Sequence, residues 1–251
     1  MNLPGTVTTA PDPDALFDRL GSQLMAAAMR AADERERFHL ALSGGSTPEP
    51  FYMRLVTDPK FRAIPWKLAH LWIVDERQVP SDHEKSNFRM LTESLIGQIP
   101  TPESQVHRVK TELDDPAADY RAQLEDVFGR SPAGDLPRLD FVLLGMGDDC
   151  HTASLFPGSP ALEEDALPVV NNDGDRVVPP ARVTMTYPLL NAARELAVLA
   201  VGAKKHAALQ RVADLGGAED RTEVPISGIR PGDHAGGTLT WYLDDASAGV
   251  G

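Results

Sequence analysis

The sequence predicts an α/β fold, a mostly parallel sheet sandwiched by helices, and three observations carry that expectation. Short apolar runs alternate with helix-period segments along almost the whole chain, with no internal repeat or low-complexity tract. Two of the runs, residues 141–144 and 196–201, are apolar at every position, as strands buried on both faces of a sheet are. The turns after several strands are rich in glycine, hydroxyl and charged residues, and ligands of open parallel sheets bind outside the carboxyl ends of the strands.

Length and composition fit one such domain. The chain has 251 residues, 42% of them hydrophobic, enough to bury a single large core. Lys and Arg number 24 against 37 Asp and Glu, a net charge of −13 that repels nucleic acid and anionic membranes, so any anionic ligand needs a local cluster of positive groups. The apolar stretch 196–202 is too short to span a bilayer. A single cysteine, Cys150, excludes an internal disulfide, and no basic start leads into a long apolar run; the expectation is a cytoplasmic protein.

Taken in order, residues 1–13 hold prolines and a glycine among threonines and read as a flexible leader, followed by one domain over residues 14–246. A helix opens at Asp14, with Phe17, Leu20, Leu24, Ala27 and Ala31 on one buried face, and closes in the solvated mixed-charge run 33–37. Residues 38–42 form a strand that runs into Ser43-Gly44-Gly45-Ser46-Thr47-Pro48. Ser46 or Thr47 can cap the next helix and Pro48 fits its first turn, so this segment suits either an anion-binding helix terminus or an ordinary tight turn. Residues 68–74 form the next strand. Asp75-Glu76-Arg77-Gln78-Val79-Pro80 at its end suits an active-site loop better than a surface turn. Ser86 or Asn87 caps a helix from Phe88 to about Ile96, and a small strand falls within 106–109. A helix then starts at Asp115 with Tyr120, Leu124, Val127 and Phe128 along one face, and a turn-rich link covers 129–137. After the strand that begins at Asp140, the acidic segment 161–175 is loop-like with a strand near 167–170. A strand at 182–186, a helix at 188–193, the buried strand at 196–201, a helix begun by Gly202-Ala203-Lys204-Lys205 and a last strand at 238–243 complete the pattern.

The segment 140–158 is the focus of the chemistry. A buried strand breaks at Gly145 and Gly147 and delivers Asp148, Asp149 and His151 to the loop beyond it. A dinucleotide-binding loop is disfavoured because the third glycine position is Cys150, and the first glycine-rich segment lacks the Gly-Lys-Ser/Thr ending of a nucleotide-triphosphate loop. Neither Ser46 nor Ser154 stands in a Gly-x-Ser-x-Gly elbow. The seven histidines are scattered rather than set at ligand spacing, so no metal and no cofactor are expected. Cys150 reads as a small buried hydrophobe rather than a nucleophile. There remain His151 beside Asp149, which can fix its tautomer, and basic residues at element ends: Arg77, Arg182 and Lys205. The latter two also fit plain surface solubility. Together they suggest a small phosphorylated substrate handled by general acid–base catalysis.

These motifs resemble one family closely. Ser43 to Pro48, Asp75-Glu76-Arg77-x-Val79-Pro80, Ser86-Asn87, the run from Gly145 through His151-Thr152-Ala153-Ser154-Leu155-Phe156 to Gly158, Arg182-Val183-Thr184 and Gly202-x-x-Lys205 come in the order found in 6-phosphogluconolactonases. The resemblance implies a modified Rossmann-like α/β sandwich with a small additional strand layer. It implies hydrolysis of 6-phospho-D-glucono-1,5-lactone to 6-phosphogluconate in the oxidative pentose phosphate pathway, without a metal; a monomer or small homo-oligomer is the open expectation for assembly. Carried onto this chain, it makes His151 the base, Asp149 its orienting partner and Asp75 a group of the sugar site. The phosphate falls to the Gly44, Gly45 and Ser46 amides with Arg182, Lys205 and Arg77, and Ser43 and Asn87 join the substrate-binding set. Cys150 departs from the family's glycine; at positive φ a cysteine is strained by about 1 kcal/mol. Glucosamine-6-phosphate isomerases on the same fold would show Asp-Glu-Tyr where Asp75-Glu76-Arg77 stands, and Ile-Ala-Phe-Asn-Glu in place of the segment begun by His151. Sugar-phosphate sensors of bacterial regulators would carry a helix-turn-helix, for which residues 1–37 offer one helix and no basic recognition element.

Overall fold

A computed structural model of the chain describes residues 1–129, 136–175, 177–231 and 236–250. Its strands are β1 (Thr6–Ala10), β2 (Phe38–Leu42), β3 (Ala69–Ile73), β4 (Asp75–Arg77), β5 (Val106–His107), β6 (Phe141–Gly145), β7 (Val169–Asp173), β8 (Ala181–Met185), β9 (Glu195–Ala200) and β10 (Thr238–Asp244). The helices are α1 (Pro13–Arg35), α2 (Glu49–Thr57), α3 (Asn87–Ser94), α4 (Pro116–Phe128), α5 (Tyr187–Asn191), α6 (His206–Asp214) and α7 (Asp245–Ala248).

Seven strands form one sheet in the order β1-β10-β9-β6-β2-β3-β5, and every pairing in it is parallel. Alternate residues of each strand enter opposite cores, because side chains of a strand alternate in direction. Phe38, Leu40 and Leu42 of β2, Phe141 and Leu143 of β6, and Ala197 and Leu199 of β9 pack with the apolar faces of α1, α2 and α3. Ala41, Val142, Leu144, Leu196, Val198 and Ala200 face the other way, against Tyr120 and Leu124 of α4, Leu189 and Leu190 of α5, and Leu209 and Val212 of α6. On α1 the fully buried Leu16, Leu20 and Leu24 are each worth about 1.5–3 kcal/mol of burial. A three-stranded antiparallel sheet, β4-β8-β7, lies beside the large sheet. Val74 joins the two: its amide donates to Leu42 and its carbonyl accepts from Met185.

From β2 the chain moves outward through β3 to β5, and from β6 it moves the opposite way through β9 to β10. The gap between the carboxyl ends of β2 and β6 is therefore a topological switch point, where loops diverge and leave a crevice for a ligand.

Several expectations are corrected here. The leader read over residues 1–13 is in part structured: Thr6–Ala10 pairs in parallel with β10, from Thr6 beside Thr240 to Ala10 beside Asp244, and Asp12 caps α1 through Ala15 N. The segment read as a loop at Asp75 is strand β4, paired with β8. Neither Ser46 nor Thr47 caps α2; Pro48 stands at the cap position with no side-chain cap bond. Ser86 does cap α3, accepting from Arg89 N. Most of the link read at 129–137 lies outside the described residues. No helix among the described residues is long and apolar enough to cross a membrane.

Candidate active site

A cleft of about 470 Å³ opens at the switch point. Ser43, Gly44, Gly45 and Ser46 line it from the end of β2, Gly145 to Gly147 and His151 from the end of β6, Asp75 and Arg77 from β4, Arg182 from β8, and Asn87 and Lys205 from the starts of α3 and α6. The sequence-derived set therefore converges, except that Asp149 does not line the cleft. It stands beside His151.

The histidine loop is rigidly hung. Gly147 N donates to the His151 carbonyl at 2.8 Å, closing a tight turn, and a Cβ at Gly147 would collide with the His151 ring and the Asp149 carboxylate. Thr152 Oγ1 holds the Gly145 carbonyl at 2.8 Å. Ser154 ties the loop to the small sheet: its amide donates to Thr184 Oγ1 at 3.1 Å and its hydroxyl to Asp75 Oδ2 at 2.6 Å. Cys150 takes φ 70°, the left-handed conformation that favours glycine, with its thiol packed inward 3.5 Å from the Ala208 carbonyl. Burial pushes that thiol's pKa up, so it is no nucleophile.

Within the loop, His151 Nδ1 lies 2.6 Å from Asp149 Oδ1. Burial alone would raise the Asp149 pKa, but its hydrogen bond to His151 and the attraction of the ring outweigh that and hold it down to about 2. An ionised carboxylate at Nδ1 keeps the proton there and leaves Nε2 as the acceptor.

Two arginines give the cleft positive charge. Arg77 and Arg182 are direct partners across β4 and β8; like charges so placed repel by about 0.2–1 kcal/mol unless an anion lies between them. Arg182 is 5% exposed, its guanidinium 5.7 Å from the Phe156 ring, and burial lowers its pKa against the opposing pull of Asp75. Four buried atoms of this cleft, Ser43 Oγ, Asn87 Oδ1, Arg77 Nε and Arg182 Nε, have no hydrogen-bond partner among the described residues. An orphaned buried polar atom costs about 1–3 kcal/mol, and so many in one cleft mark a surface built to meet a polar ligand.

Sequence reasoning missed two supports. Glu76, 1% exposed, accepts from the amides of Arg77, Asn87 and Phe88 at 2.8, 2.7 and 2.8 Å and from Ser86 Oγ at 3.1 Å, so it fastens β4 to the start of α3. Asn87 Nδ2 then donates to the Asp75 carbonyl at 2.6 Å while its other amide atom crowds Gly44, where a Cβ could not fit. Phe156 is the second: its ring lies 5.0 Å from that of His151 and carries Arg182 beside it. Both residues lie within the sequence motifs named above, but only the folded arrangement shows what they touch. Among the described residues no three His, Cys, Asp or Glu side chains come together as metal ligands.

The model of the family described as glucosamine-6-phosphate isomerases/6-phosphogluconolactonase matches residues 11–241. A 6-phosphogluconolactonase from a Nostoc species is 37% identical over 247 residues, covering 96% of both chains. One from a Synechocystis species is 39% identical over 220 residues, covering 86% of this chain and 85% of that one. Among solved structures, a 6-phosphogluconolactonase from Trypanosoma cruzi superposes with a TM-score of 0.80 at 27% identity, covering 99% of this chain and 97% of the other. Matched over most of its length in both sequence and fold, the chain belongs to the glucosamine-6-phosphate isomerase/6-phosphogluconolactonase family.

Proposed function

We propose that this chain is a 6-phosphogluconolactonase, hydrolysing 6-phospho-D-glucono-1,5-lactone to 6-phosphogluconate in the oxidative pentose phosphate pathway. The observation that carries the reading is the His151–Asp149 pair at 2.6 Å, with His151 lining a cleft that Arg77 and Arg182, paired side by side, also line. The nearly full-length matches to 6-phosphogluconolactonases support it. So does Arg77, which stands where the isomerase branch is expected to carry tyrosine. A single buried cysteine suits a reducing compartment and supports a cytoplasmic setting.

In this mechanism the substrate phosphate rests on the uncapped start of α2, over Gly44, Gly45 and Ser46, with the charges of Arg182, Lys205 and Arg77 around it. His151 Nε2 takes a proton from water as the water oxygen bonds to the lactone carbonyl carbon. The carbonyl oxygen becomes an oxyanion, stabilised by donors of the cleft such as the Arg77 guanidinium. As the tetrahedral centre collapses, the bond to the ring oxygen breaks, and the imidazolium returns its proton to that leaving oxygen. Asp149 stays ionised throughout and stabilises the imidazolium. Asp75, held by Ser154, faces the sugar hydroxyls as an acceptor.

The test is lactone decay with the substrate generated in place by glucose-6-phosphate dehydrogenase, because this lactone also opens spontaneously. Wild-type protein should accelerate decay and His151→Ala should return it to the spontaneous rate. Equal acceleration by both would discard His151 as the base, and no acceleration by either would discard the activity.

A further inference from the structure

Asp148 has no part in this scheme, yet its carboxylate holds a residue that does. Lys205 Nζ donates to Asp148 Oδ1 at 2.6 Å, and the lysine side chain is 19% exposed while the aspartate is 65% exposed. Lys205 lines the cleft at the turn into α6, and Asp148 leans over from the loop after β6, next to Gly147. Resting on the reading that the cleft takes a phosphate, we propose that Asp148 is an internal counter-anion: it occupies Lys205 in the empty site and must be displaced from it, or repelled across it, whenever a phosphorylated ligand binds.

The chemistry follows from the charges. An ammonium group has three donors and can be shared, but a phosphate arriving at Lys205 brings a negative charge to within a few ångströms of the Asp148 carboxylate. Binding therefore exchanges one ion pair for another instead of satisfying a bare cation, and affinity for the anion is lower than the cations of the cleft alone would give. A mostly solvated carboxylate gives up its partner at little cost. The pair thus tempers affinity: it costs only those ligands that engage Lys205, and it hastens release of a phosphorylated product by reclaiming the lysine.

Calorimetric titration with 6-phosphogluconate and with inorganic phosphate, at low ionic strength, tests this in wild type, Asp148→Asn, Lys205→Ala and the double variant. Asp148→Asn should bind both ligands about two- to fivefold more tightly, the range an exposed ion pair supports. Unphosphorylated gluconate should show no such gain, and the gain should vanish in the Lys205→Ala background. Unchanged or weaker binding in Asp148→Asn overturns the proposal, as does a gain that persists without Lys205, or a cleft that binds neither ligand. Because binding is measured with stable ligands, it can fail while lactone decay is still accelerated, and the two failures are distinguishable.

Discussion

At the scale of single residues, the histidine loop shows how one strained position can be tolerated without losing the geometry it supports. Cys150 sits at φ 70° where the family pattern has glycine, yet the imidazole of the next residue still meets Asp149 at 2.6 Å. The buried thiol and the bond from Ile226 N to the Cys150 carbonyl hold the turn in place. Two contributions of similar size oppose each other there: left-handed strain of about 1 kcal/mol, and burial of a small side chain worth about as much. Cys150→Gly removes both and should change stability by less than about 1 kcal/mol. Cys150→Ala keeps the strain and loses the sulfur's packing, and should be the less stable of the two by about 1 kcal/mol in urea unfolding. Asp149→Asn is an electrostatic test of the same loop. An amide can donate to Nδ1 and pin the wrong tautomer, so kcat should fall roughly 10²- to 10⁴-fold while the protein stays folded. A kcat within a few-fold of wild type would separate Asp149 from the chemistry.

At the scale of elements, the site depends on how β4 is joined to α3. Four donors converge on the Glu76 carboxylate, whose pKa is raised by burial even though the amide hydrogen bonds pull it down. Glu76→Gln keeps the shape but replaces one acceptor oxygen by a donor, stranding amides at the start of α3. The expected loss is about 1–3 kcal/mol of stability by chemical denaturation, with a raised KM because Asn87 and Arg77 are released together; unchanged stability and KM would remove Glu76 from this role. The strands that carry the core were legible because their patterns are local: the apolar runs of β2, β6 and β9 and the capping signals Ser86 and Asp115 need no partner to be read. Two strands were not. Thr6–Ala10 is a threonine-rich edge strand set between glycine and proline, and its pairing with β10 joins residues at opposite ends of the chain. Asp75–Arg77 is three charged residues long, and only its register against Arg182 to Thr184 makes it a strand. The site residues at Ser43 to Ser46 and at Asp149 and His151 were legible because their loops end strands of the parallel sheet, whereas Asp75, Arg77 and Arg182 lie within β4 and β8 of the small sheet. The contacts among them, from Glu76 to α3 and from Phe156 to both His151 and Arg182, arise between segments distant in sequence and carry no local pattern.

At the scale of the whole molecule, the large sheet pairs its cleft with an aromatic and imidazole cluster built on three of its strands. His39, His70 and His107 come from β2, β3 and β5, with Trp72 stacked on His107 at 3.8 Å and Phe128 4.2 Å from His39. His70 Nδ1 and His107 Nε2 are 3.0 Å apart, and Trp72 Nε1 donates to His39 Nδ1 at 3.3 Å. These rings are packed to be neutral. Burial first, then the charges of His70, Arg37, His107 and Arg35, pushes the His39 pKa down to about 3; burial and His70 push His107 down to about 4; burial and Arg37 lower that of His70. A histidine whose folded-state pKa is depressed stabilises the fold in full above its unfolded value, near 6.5, and the contribution drains away as pH falls through the folded value. Between pH 6.5 and about 4, His39 and His107 should each remove up to about 1.4 kcal/mol of stability per pH unit. The strongly depressed carboxylates Asp149 and Glu112, held to about 2, do not enter that window, since their unfolded forms titrate near 4. Glu76 works the other way, returning stability as pH falls through its raised value, but it is one group against three. Urea midpoints should therefore hold level above pH 7 and fall steadily from pH 6.5 to 5. His39→Gln, whose amide can still accept from Trp72, should flatten the slope by the share of one histidine. A midpoint constant between pH 7 and 5 would mean that these imidazoles take up protons without opening the fold, and that the β2–β3–β5 face is more hydrated than its packing indicates.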